Sequence, residues 1–96
     1  MADEFLPKNK QFWESRGNIR FSQFYKAVEK LGLRATQPNS GSSHYAIRKP
    51  DILTNGLESF IVNIYEGMSK QANGDVIKCL LRYGIKESEL IKALRK

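Results

Sequence analysis

The sequence predicts an α+β domain in which helices cover one face of a three-stranded antiparallel sheet. Three observations predict it: apolar residues at helical spacing from Phe21 to Leu31, three short strand-forming runs between Leu33 and Tyr65, and two helical stretches after Gly67. Helices of this kind bury their apolar stripes against one side of the sheet. The other side is left open to bind.

Each element follows from local chemistry. Residues 1–17 mix Phe5, Leu6, Phe12 and Trp13 with charges and Pro7, and read as an N-terminal arm with one short helical turn. Its aromatic residues are expected to dock on the core or to meet a partner. Residues 18–96 form the single domain. Its first helix has Ser22 as the expected N-cap, an apolar stripe of Phe21, Phe24, Tyr25, Val28 and Leu31, and Gly32 where a left-handed C-cap residue belongs. Lys26 and Lys30, four apart, give it a basic face.

Leu33 to Gln37 is the first expected strand, ended by the turn formers Pro38, Asn39, Ser40 and Gly41. The second runs from His44 to about Arg48. Alternation sends Tyr45 and Ile47 into the core and turns His44, Ala46 and Arg48 to the open face. After a loop marked by Asn55 and Gly56, Glu58 to Tyr65 is the strongest strand. A helix then starts near Asn73 as its cap, carries Asp75, Val76, Ile77, Leu80 and Leu81, and closes on Gly84. Glu87 to Leu94 forms a last short helix with Leu90, Ile91 and Leu94 inward.

Composition bounds the chemistry. A chain of 96 residues, 41% hydrophobic and 27% charged, has room for one small core. The single cysteine, Cys79, cannot close an internal disulfide, and one Cys with one His falls short of a zinc site, so no metal and no cofactor is expected. Cys79 lies beside Leu80 and Leu81 and reads as a small buried hydrophobe. No run approaches a membrane span, and Met1, Ala2, Asp3, Glu4 lacks the basic, apolar start of a signal peptide. The expected location is cytoplasmic.

The net charge of +6 is concentrated: Arg16 to Lys49 holds seven cations against the single acid Glu29. Elsewhere the charges balance. Such a field attracts a polyanion, with binding that falls by about 0.7 log units per tenfold rise in salt for each phosphate contacted on a single strand.

The lone histidine, His44, lies within this basic region, directly after Gly41, Ser42 and Ser43. Histidine trades a proton near neutral pH, so His44 is the candidate general base for removing a ribose 2′-hydroxyl proton. Arg48, Lys49 and the backbone N–H groups of the Gly41 to Ser43 loop are the candidate stabilisers of phosphate charge, with Lys26, Lys30 and Arg34 guiding the strand. A serine nucleophile at Ser42 or Ser43 would need an acidic orienter, and no acid lies close in sequence.

The run Asn18, Ile19, Arg20, Phe21, Ser22, the ending Leu31, Gly32, Leu33, and the signature Gly41, Ser42, Ser43, His44, Tyr45 followed by Arg48, Lys49, Pro50 resemble the HicA family of toxin mRNA interferases. The similarity spans about residues 18–94. It implies a double-stranded-RNA-binding-domain-like fold, cleavage of mRNA with His44 as the catalytic residue, Gly41, Ser42 and Ser43 shaping the site, and a HicB antitoxin that covers the histidine. The chain departs from that family's pattern with Glu66 after the third strand and with the arm carrying Phe12 and Trp13. The alternatives are an RNA-binding module of the same fold without chemistry, and an interaction protein whose basic face binds an acidic partner.

Overall fold

The computed structural model describes residues 6–37, 44–50 and 58–95. They form an α+β domain: α1 (Lys10–Glu14), a 3-10 turn (Arg16–Asn18), α2 (Phe21–Lys30), β1 (Arg34–Thr36), β2 (His44–Pro50), β3 (Glu58–Tyr65), α3 (Lys70–Tyr83) and α4 (Glu87–Leu94). The strands make one antiparallel sheet in the order β1-β2-β3.

Helix α2 forms where its apolar stripe demands. Phe24, Ala27 and Val28 are fully buried, while Ser22, Lys26, Glu29 and Lys30 face solvent. Its start differs from the expectation. Arg20, not Ser22, is the N-cap residue, and the Gln23 side chain satisfies the Arg20 backbone N–H at 2.9 Å. The end is the expected glycine. Gly32 has φ +83°, and the Gly32 and Leu33 N–H groups donate to the Glu29 and Val28 carbonyls at 3.1 and 2.8 Å, closing a Schellman motif.

Helix α3 starts earlier than its type signals imply. The Ser69 hydroxyl caps it by accepting from the Ala72 N–H at 3.1 Å. Asn73, expected as the cap, is instead an interior helical residue with no exposure at all. Its Nδ2 donates to the carbonyls of Arg16 at 2.8 Å and Ile19 at 2.9 Å. A side chain chosen by residue type as a helix starter therefore pins an incoming segment to the helix flank.

That segment is the N-terminal stretch. Phe12 and Trp13 pack against the core, and the Glu87 carboxylate accepts from the Lys8 and Asn9 N–H groups at 2.7 and 2.9 Å. Arg16 lies over the Trp13 ring at 4.0 Å and donates to the Trp13 carbonyl at 2.8 Å. Of the two expected outcomes for the arm's aromatic residues, Phe12 and Trp13 show docking; Phe5 lies outside the described residues.

The core lies between the sheet and the helices. Phe24, Val28, Ile47, Ile64, Ile77, Leu80 and Leu90 are fully buried together, each such side chain contributing about 1.5–3 kcal/mol of transfer free energy. Phe21, Tyr25 and Tyr45 close one edge as a ring cluster with centroids 5.3–5.8 Å apart. All helices that touch this core lie on the Ile47 and Ile64 side of the sheet. Cys79 is half-buried on α3 rather than fully enclosed.

Candidate nucleic-acid interface

The open face of the sheet is set by alternation and by one irregularity. In an antiparallel ladder, residues directly opposite one another share a face. Tyr45 pairs with Ile64 and Ile47 with Val62 on the core side. The intervening pairs, His44 with Tyr65 and Ala46 with Asn63, therefore point the other way. Arg34 pairs with Arg48, and Thr36 with Ala46, on this same side.

The register slips between Ile47 and Arg48, so that Arg48 lies opposite Phe60 and Ile61 is the extra residue of β3. Without the slip, Phe60 would share the core side with Val62 and Ile64. With it, Phe60 turns to the open face and is 54% exposed. The Arg48 guanidinium lies 5.5 Å from its ring centroid.

His44 is exposed at the first position of β2. Its imidazole meets the Tyr65 ring edge to face, centroids 4.8 Å apart and planes at 74°. The sheet thus presents an imidazole beside a phenol at one end and two arginines beside an exposed phenyl ring at the other. Four residues at about 3.3 Å each place the Cα atoms of His44 and Arg48 about 13 Å apart.

The expected site residues do not all converge here. His44, Arg34 and Arg48 share the face. Lys49 is exposed but alternates to the helical side, its ammonium 5.5 Å from the Tyr83 ring centroid. Lys26 and Lys30 line a groove between α2 and the end of α4 with Ser22, Gln23, Leu94 and Arg95, so the sheet separates them from His44. Gly41, Ser42 and Ser43 lie outside the described residues, as do the turn at Pro38–Gly41 and the Asn55–Gly56 loop. Ala46, expected to be open, is only 3% exposed, on the central strand between its ladder partners Thr36 and Asn63.

Tyr65, Asn63 and Phe60 also lie on this face, and no sequence motif marks them. Tyr65 follows from alternation once Ile64 is placed inward. Phe60 could not be found that way, because the slip that exposes it leaves no glycine or proline signal.

Among the described residues, no group of three His, Cys, Asp or Glu side chains could hold a metal ion, and no helix is long and apolar enough to cross a membrane. Comparison of the chain with protein-family models, with curated proteins and with solved structures finds no match.

Proposed function

We propose that this chain is a small ribonuclease of the HicA type: an mRNA interferase toxin of the cytoplasm that cuts RNA through His44 without a metal ion and is restrained by a HicB-like antitoxin. The observation that carries the reading is the exposed imidazole of His44 on the same sheet face as Arg34 and Arg48. The element order α2, β1, β2, β3, α3, with its helices packed on the opposite face, supports the double-stranded-RNA-binding-domain-like assignment.

In this mechanism His44 removes the 2′-hydroxyl proton, and the freed oxygen attacks the adjacent phosphorus. The bond to the 5′-oxygen breaks, giving a 2′,3′-cyclic phosphate and a 5′-oxygen that takes up a proton as the hydroxyl. Arg34 and Arg48, about 13 Å along the sheet, hold a neighbouring part of the strand rather than the reacting phosphate. The N–H groups of Gly41, Ser42 and Ser43, next to His44 in the chain, are the proposed donors to that phosphate.

Expression in a cell without the antitoxin is expected to arrest growth, and His44→Ala to relieve the arrest. RNA recovered from arrested cells should carry cyclic phosphate and 5′-hydroxyl ends. A second reading is favoured by the Arg48 and Phe60 pair: the face binds RNA without chemistry. In that case purified protein retains RNA and leaves it intact.

A further inference from the structure

We infer that the exposed ring of Phe60, with the Arg48 guanidinium over one of its faces, is a base-stacking subsite for single-stranded nucleic acid lying along the open face of the sheet. The inference rests on the reading of this face as an RNA-binding surface, but not on cleavage.

An exposed phenylalanine by itself is ordinary on a protein surface. This one has a particular setting. Phe60 is 54% exposed, the Arg48 guanidinium lies over its ring 5.5 Å from the centroid, and Arg34 sits across the ladder from Arg48. Asn63, exposed on the same strand and face, adds an amide that both donates and accepts. A flat π surface is thus set beside two cations, with a hydrogen-bonding group between it and His44.

The chemistry selects the occupant. Guanidinium groups attract an anion, and an open aromatic ring attracts another flat ring; a polynucleotide supplies both in every monomer. An acidic peptide answers only the charges. A duplex keeps its bases stacked on one another and presents phosphates and groove edges, so it gains little from the phenyl ring. An unpaired strand gains the stack. Because Phe60 lies opposite Arg48, about 13 Å from His44, the stacked base belongs to a neighbouring nucleotide and sets which phosphate reaches the imidazole.

The test is titration of a labelled single-stranded RNA oligonucleotide, followed by anisotropy, in the His44→Ala background so that the RNA survives. Phe60→Ala is expected to weaken binding roughly 10-fold, within the 5- to 150-fold range for loss of one base stack. Phe60→Leu, apolar but without a π face, should weaken it equally, and Phe60→Trp should restore it. An oligonucleotide with one base removed at the stacked position should bind the parent and Phe60→Ala alike. Duplex RNA should be insensitive to all three substitutions. Unchanged urea midpoints verify that the variants fold.

If Phe60→Ala or Phe60→Leu binds single strands as tightly as the parent, the subsite is overturned and the ring becomes a surface for a protein partner. If the parent binds no RNA at low salt, the reading of the face falls and takes the subsite with it. If the Phe60 pattern holds while protein with His44 intact leaves RNA uncut, the nuclease reading fails and the subsite stands.

Discussion

His44 and Tyr65 face each other across the β2 and β3 ladder, ring centroids 4.8 Å apart and planes at 74°. The pairing sets the phenol ring against the exposed imidazole and helps to orient it. Edge-to-face pairs contribute about 0.5–1.5 kcal/mol beyond area burial, enough to alter a positioned base's rate by roughly 2- to 10-fold. Tyr65→Phe should therefore keep most RNA cleavage and Tyr65→Ala should lose it within that range, through kcat with KM unchanged. Single-turnover kinetics on a defined RNA checks this.

Salt dependence tells which face carries the strand. For a single strand, each cation that no longer neutralises a phosphate lowers the slope of log affinity against log salt by about 0.7. Arg34→Ala and Arg48→Ala should each show that reduction, and Lys26→Ala and Lys30→Ala, across the sheet, should not. Anisotropy titrations at several salt concentrations measure the slopes.

At Gly74 the N-terminal segment lies close against α3. A Cβ there would meet Arg16 Nε at 2.9 Å and Trp13 Cη2 at 3.0 Å. Arg16 cannot swing aside cheaply, because it lies over the Trp13 ring and bonds the Trp13 carbonyl. Alanine's helix advantage of about 1 kcal/mol is thus outweighed by overpacking of about 1–3 kcal/mol. Gly74→Ala should lower stability in urea, and the added substitution Arg16→Ala should recover part of the loss.

Asn73 holds the same junction. Asn73→Ala would leave the Arg16 and Ile19 carbonyls without their buried donor, at about 1–3 kcal/mol for each group left unsatisfied. At about 4–8 °C per kcal/mol for a domain of this size, Tm should fall by roughly 10 °C or more. Differential scanning calorimetry provides the number. Asn73→Asp should be worse, since it removes the donors and buries a carboxylate in their place.

These junctions separate what local sequence signals encode from what long-range contacts decide. β3 at Glu58–Tyr65 and α4 at Glu87–Leu94 were legible to the residue, because strand-forming runs and apolar periodicity are local signals. Gly32 and Gly84 closed their helices as expected, with φ values of +83° and +123°. Asn73 misled because the same amide that caps a helix can bond to any buried carbonyl brought to it. Docking of residues 6–18 is one of two outcomes the sequence leaves open, since its partners Glu87 and Asn73 are more than fifty residues away. At the site, alternation puts His44 and Arg48 on one face and Lys49 on the other, but Phe60 needs the observed register.

Catalysis by His44 is measured by degradation of a defined single-stranded RNA by purified protein, free of any antitoxin, in the presence of a chelator. The parent chain should cleave and His44→Ala should lose about 100-fold or more, the usual contribution of a positioned base, with RNA binding and the urea midpoint retained. Equal rates for the two proteins would rule His44 out as the base.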